Sequence, residues 1–156
     1  MFLIPERYTM NRLSRIIPPI FPIIVLAFFQ SGCDLDKSAF IKTAETTYAA
    51  IYKGDPSAEN AIDWHSIQIN DEETAQTARG LITDYEKSEF RKSVLSRLKT
   101  FYTSKGWAPE RMRDWRIQDR GTESAQVAAT APDGGKIVMF MQKDQAQKKI
   151  IRIQNK

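Results

Sequence analysis

The feature that most constrains the fold is a change in the spacing of apolar residues at Gly106. Before it, apolar residues recur every three or four positions, which is typical of amphipathic helices. After it, they alternate with polar residues, which is typical of strands. Helices that precede a run of strands favour the α+β class. We therefore predict N-terminal helices packed on one face of a C-terminal antiparallel sheet.

The helical half begins with a well-defined amphipathic segment. Asp36 or Ser38 can cap its start, and Gly54, followed by Asp55-Pro56, is a stop signal. A short second helix is predicted from Ser57 to about His65. The apolar stripe of the first helix consists of Phe40, Ala44, Tyr48 and Ile51, and the second helix presents Ala61, Ile62 and Trp64.

A third helix is predicted to begin near Asp71, and its buried face would contain Ala75, Ala78, Ile82 and Tyr85. The apolar phase then slips by one residue across residues 86–88, which predicts a break or kink there. The stripe resumes in a helix that ends at Gly106 and contains Phe90, Val94, Leu98 and Phe101.

The strand half is divided by a strong turn signal at Pro132-Asp133-Gly134-Gly135. A last strand is predicted over residues 150–153. The inward-facing positions of the earlier strands are predicted to be Trp115, Ile117, Ala125, Val127, Ala129, Ile137, Met139 and Met141.

This order of helices and strands resembles the nuclear-transport-factor-2-like, or cystatin-like, α+β cone found in small bacterial lipoproteins. The resemblance rests on Phe40 through Asp55, on Phe90 through Gly106, and on the Val127…Gly135…Ile153 pattern. It implies a cone-like domain over residues 38–156. It implies no particular activity, because one fold supports many functions.

The N-terminal residues are segregated from this domain by composition. Residues 16–29 form an uncharged apolar run of fourteen residues, interrupted by Pro18, Pro19 and Pro22. As a helix the run would span about 21 Å, against a hydrocarbon core of about 30 Å. Arg12 and Arg15 precede it, which is typical of a secretory signal. We predict a signal peptide over residues 1–32, with Met10 as the true start.

Gln30-Ser31-Gly32-Cys33 resembles the lipobox of bacterial lipoproteins, departing from it at Gln30. The resemblance implies lipidation of Cys33, cleavage just before it, and a lipidated tether over residues 33–37. Asp34 resembles an enterobacterial inner-membrane retention signal. The expected location is the extracytoplasmic face of a bacterial membrane, in the cell envelope. A free thiol after ordinary cleavage is the alternative.

Residues with catalytic chemistry occur without a recognisable motif. One cysteine and one histidine exclude a metal site built on clustered Cys ligands, so no metal or cofactor is expected. Gly134-Gly135-Lys136 joins two strands and lacks the remainder of a phosphate loop. Enzymes of the resembled fold place Asp, His and Tyr in the cone mouth, and the candidates here are Tyr48, Asp63, His65, Asp84, Tyr85 and Asp114.

Charge is distributed unevenly along the chain. Residues 34–86 carry a net charge of −7, residues 87–120 carry +6, and residues 121–156 carry +3. Either the two halves complement each other within the fold, or the basic half contacts anionic lipid or polymer. An exported protein without stacking aromatic motifs is not expected to bind nucleic acid. The basic half contains Arg91, Lys92, Arg97, Lys99, Lys105, Arg111, Arg113, Arg116 and Arg120.

Three functions remain open from the sequence. The leading one is a non-enzymatic binding or accessory domain, held at the membrane by its lipid, with an envelope protein or ligand as partner. The second is a lyase or isomerase with Asp63 or Asp114 as base, acting in an apolar cone lined by Trp64, Tyr85, Trp115 and Met139. The third is a structural envelope component that self-associates.

Overall fold

The computed structural model describes the backbone of residues 21–70, 77 and 79–156, and side chains from Lys37 onward within these ranges. The helical elements are α1 (Phe21–Lys53), a first 3-10 helix (Pro56–Ala61), α2 (Asp84–Ser104) and a second 3-10 helix (Pro109–Arg111). The strands are β1 (Gln68–Ile69), β2 (Arg113–Arg120), β3 (Ser124–Thr130), β4 (Lys136–Asp144) and β5 (Gln147–Asn155).

The strands form one five-stranded sheet in the order β1-β5-β4-β3-β2. The antiparallel meander from β2 to β5 confirms the predicted order of strands. The sheet is nevertheless mixed, because β1 pairs parallel to β5 through Gln68 with Arg152 and Ile69 with Ile153. It is also open and curled rather than closed. The α+β class is therefore confirmed, and the short parallel β1 is an addition to the predicted antiparallel sheet.

A bulge in β5 explains the spacing of its buried residues. Phe140 of β4 pairs with Arg152 while the next residue, Met141, pairs with Ile150, so Ile151 is an extra residue in the ladder. The extra residue shifts the side-chain alternation by one position. Ile150 and Ile153, three positions apart, are consequently both fully buried in the core.

Helix α1 supplies the centre of the core, as its periodicity predicts. Its predicted stripe is buried, with exposures of 0–1% for Phe40, Ala44, Tyr48 and Ile51. The helix ends at Lys53, and Gly54 adopts a left-handed φ of +76°, which favours glycine. The predicted start at Asp36 or Ser38 was wrong, because the helix runs back to Phe21.

Helix α2 is continuous from Asp84 to Ser104, so the break predicted across residues 86–88 was wrong. Thr83 caps it, and Glu86 returns the hydrogen bond in a capping box. The phase slip in the sequence marks the start of this helix rather than a kink within it. Ile82 and Tyr85, predicted to be buried, are 86% and 74% exposed.

Ala75 and Ala78 of the predicted third helix lie outside the described residues. The predicted second helix was too long. The chain leaves the first 3-10 helix at Ala61, and Ile62 forms a parallel bridge with Ile150 of β5. The Trp64 side chain packs back against this 3-10 helix, where its indole N–H donates to the Glu59 carbonyl at 3.0 Å.

The predicted turn between β3 and β4 is confirmed and packs against an aromatic ring. The amide of Ala131 donates to the Gly135 carbonyl across the turn at 2.7 Å. The Trp107 indole N–H donates to the Asp133 carboxylate at 2.9 Å. A Cβ added at Gly135 would lie only 2.3 Å from Cζ2 of Trp107. Glycine is therefore required here by close packing.

Candidate functional site

Cys33 is a residue of α1, N-terminal to the part of that helix that packs in the core. Phe40, the first fully buried residue of the described stripe, lies seven positions later, a rise of about 10 Å along the axis. Residues 33–37, predicted as the tether, are part of the same helix. In the part of the chain that the structure describes, no helix is long and apolar enough to cross a membrane.

The start of β5 lies beside Phe40 of α1. The Lys148 ammonium sits 5.0 Å from the centre of the Phe40 ring. A groove of about 450 Å³ separates α1 from the β4–β5 turn and from the first 3-10 helix, with small residues such as Ala39, Thr43 and Ala58 along it. The surface around Phe40 is thus formed by α1, the β4–β5 turn and the start of β5.

The predicted catalytic residues do not converge on one cavity. Met139 is fully buried, whereas Tyr85 is largely exposed. Asp114 is exposed in β2, where it adopts a left-handed φ of +56°. Asp84 lies at the exposed start of α2 and pairs with Lys87 at 3.5 Å. The apolar cone that the enzyme hypothesis requires is therefore not assembled from its predicted lining residues.

Asp63 and His65 are used in a local turn. The Asp63 carboxylate accepts a hydrogen bond from the His65 backbone amide at 3.0 Å. The His65 carbonyl in turn accepts two hydrogen bonds from the Arg79 guanidinium, at 3.2 and 3.0 Å. His65 is exposed and lines a pocket of only about 30 Å³ with Trp64. This arrangement organises the loop after the first 3-10 helix.

Tyr48 belongs to a buried aromatic cluster. Its hydroxyl donates to the Trp107 carbonyl at 2.5 Å. Burial raises the pKa of Tyr48 well above its usual value, with a smaller contribution from nearby Tyr52. A phenol held protonated in this way, with its proton committed to a backbone carbonyl, is a structural group rather than a general base.

Tyr102 of α2 belongs to the same aromatic cluster. Its ring lies 4.9 Å from that of Tyr48 and stacks on Trp107 at 6.2 Å. Burial raises the pKa of Tyr102 strongly, and the opposing effect of the nearby Asn155 side chain is smaller. Asn155 also donates to the Asn70 side chain from its backbone amide at 3.0 Å. These contacts fasten the end of β5 to the residue that follows β1.

Charged groups are arranged locally rather than as a metal site. Among the described residues, no group of three or more His, Cys, Asp and Glu side chains could hold a metal ion. Lys92 pairs with Glu89 at 3.0 Å within α2, three residues apart and exposed. Exposed pairs of this kind contribute little to stability, because water screens them. Among the described residues, the ion pairs of Lys87 with Asp84 and of Lys92 with Glu89 therefore do not indicate a catalytic site.

A cleft of about 280 Å³ that the sequence did not predict lies between α2 and the chain that follows α1. Ile51 and Leu95 are among its lining residues, together with two acidic and two basic side chains: Asp55, Glu59, Lys92 and Lys99. A local signal does exist, because the acidic pair is four residues apart and the basic pair seven residues apart on one helix. Their meeting depends on the packing of distant segments.

Comparison of the chain with protein-family models, with curated proteins and with solved structures found no match.

Proposed function

We propose that this protein is a bacterial lipoprotein, anchored by lipid at Cys33 on the extracytoplasmic face of a membrane, with a non-enzymatic binding or accessory domain. The observation that carries the proposal is the position of the single cysteine. It follows the Arg12, Arg15 and apolar segments of a secretory signal, and it is joined to the folded domain by one helix.

Lipid attachment would be the dominant membrane interaction. Each buried methylene contributes about 0.8 kcal/mol, and one acyl chain alone gives only marginal binding. The two or three chains of a bacterial lipoprotein would hold the protein firmly. Asp34 directly follows the modified residue, which favours retention at the inner membrane over transfer to the outer one.

The helical link would keep the domain close to the bilayer. Cys33 is about 10 Å along α1 from Phe40, where the helix becomes part of the core. The start of β5, where Lys148 lies beside the Phe40 ring, would face the lipid head groups. A partner in the envelope would therefore meet the surfaces that face away from the anchor.

A binding role fits the domain better than catalysis. The candidate bases Asp63 and Asp114 lie in a local turn and on an exposed strand, respectively. A general base must reach its substrate proton within a pocket that shields the reaction. The mixed-charge cleft beside Ile51 offers recognition groups instead. We therefore favour an accessory domain over a lyase or isomerase.

The anchor is tested by replacing Cys33 with alanine in the full chain and separating membrane from soluble fractions. The variant should leave the membrane or accumulate as an unprocessed precursor. Ser38→Ala, an exposed change on the same helix but outside the lipobox, is the matched control and should behave as wild type. A Cys33→Ala protein that stays membrane-bound at mature size would contradict the proposal. Separately, cross-linking the native protein in membranes would identify its partner.

A further inference from the structure

The cleft between α2 and the chain that follows α1, here called the Ile51 cleft, combines an apolar surface with charges of both signs. Ile51 and Leu95 line it and are 1% and 9% exposed, and the exposed Pro56 adds apolar surface beside them. Its volume of about 280 Å³ is just below the range of drug-sized ligand pockets, about 300–1,000 Å³. The cleft therefore suits a small molecule with a short apolar side chain.

The basic side of the cleft comes from α2. Lys99 Nζ lies 3.3 Å from the Lys53 carbonyl at the end of α1. It also packs against Gly54, where an added Cβ would lie 2.8 Å from Lys99 Nζ. An ammonium group has three donors, and this contact uses one of them. Lys99 is thus held in place with donors left for a ligand.

The acidic side comes from Asp55 and Glu59, on the first 3-10 helix and its N-cap. The pKa of Lys92 is raised, chiefly by its hydrogen bond to Glu89 and to a smaller degree by the charge of Glu59. That second effect places Glu59 within electrostatic reach of Lys92. No direct ion pair joins the acidic and basic side chains of the cleft, all of which are described residues.

We propose that the Ile51 cleft binds a small zwitterion with a branched apolar side chain, that is, a free α-amino acid of the leucine type. Its carboxylate would bind Lys99 and its ammonium would bind Glu59, while its side chain packs against Leu95 and the exposed Pro56 ring. A ligand with one charge alone would leave one side of the cleft unmatched. The site does not depend on the lipid anchor, so it goes beyond the function proposed above.

The test uses the ¹⁵N-labelled full chain in detergent micelles, titrated with L-leucine. The backbone amide signals of Gly54 and Ser96, which line the cleft, should shift and saturate. Two probes separate the contributions: 4-methylpentanoate lacks the ammonium, and isoamylamine lacks the carboxylate. Because a hydrogen bond to a charged group contributes strongly, each should bind about tenfold more weakly than L-leucine.

Lys99→Gln and Glu59→Gln should each weaken L-leucine binding about tenfold, because each removes one charged contact. Lys105→Gln, an exposed lysine just after α2 and outside the cleft, is the control and should not change it. Unchanged signals elsewhere in each spectrum establish that a variant is folded. No shift at Gly54 or Ser96 up to about 10 mM L-leucine, which would detect a millimolar Kd, would overturn the proposal. So would unchanged binding in both variants, and neither result bears on the anchor at Cys33.

Discussion

Gly135 lies against the Trp107 indole in the turn between β3 and β4. Its φ is not left-handed, so alanine would be compatible with the backbone if space were available. An added Cβ would instead lie 2.3 Å from Cζ2 and 2.9 Å from Cη2 of Trp107. Real Cβ atoms essentially never make contacts this short, so Gly135→Ala must displace either the turn or the indole.

The indole has little freedom to move. It is 3% exposed and donates to the Asp133 carboxylate at 2.9 Å. It also stacks on Tyr102 and meets Phe101 edge-on at 5.6 Å. Overpacking costs about 1–3 kcal/mol, and any displacement of the indole also weakens its hydrogen bond to Asp133. We therefore expect a loss of about 1–3 kcal/mol.

Urea unfolding of the purified protein measures this loss. Gly121→Ala is the matched control, since its Cβ would meet the flexible end of exposed Ser124, and it should cost less than about 1 kcal/mol. In a Trp107→Ala background the Gly135→Ala change should become nearly neutral, because the clash has been removed. A Gly135→Ala protein within about 0.5 kcal/mol of wild type would refute the packing argument.

Three further predictions concern the capping of α2, the β3–β4 turn and the start of the chain. Thr83→Ala removes a capping-box hydroxyl and should cost about 1 kcal/mol in urea unfolding, with Ser93→Ala, exposed within α2, as a neutral control. The pKa of Asp133 is lowered, first by the Trp107 indole and then by the Gly135 amide, so its stabilisation is present above about pH 4 and lost on further acidification. Asp133→Asn should flatten that loss in acid unfolding curves, and an unchanged profile would contradict it. Sequencing a processing-blocked precursor should give Met10 as its first residue, and a peptide that begins at Met1 would show this to be wrong.

The sequence predicted those parts of the fold that depend on local spacing. The stripe from Phe40 to Ile51 identified the face of α1 that is buried, since four residues at helical spacing leave little choice of face. The β3–β4 turn was predicted from four consecutive turn residues, because their backbone preferences act locally. In both places the prediction needed no knowledge of distant contacts.

The sequence did not predict features that depend on contacts between distant segments. Strand β1 contains only two residues. It forms because Ile69 pairs with Ile153 near the end of β5. No local pattern distinguishes such a strand from a loop. Ile82 was predicted to be buried because of its helical spacing. It instead precedes Thr83, the N-cap of α2, and is exposed. The Ile51 cleft was missed for the same reason, since its charged residues come from segments far apart in the chain.

The most direct test of the central claim is the mass of the N-terminal peptide of the protein purified from membranes. Trypsin cleavage after Lys37 would release residues 33–37, the predicted mature N-terminus and tether. The proposal predicts that this peptide begins at Cys33 and carries a diacylglyceryl group on the thiol. A peptide that extends upstream of Cys33 in the mature protein, or a free Cys33 thiol in membrane-bound protein, would contradict it.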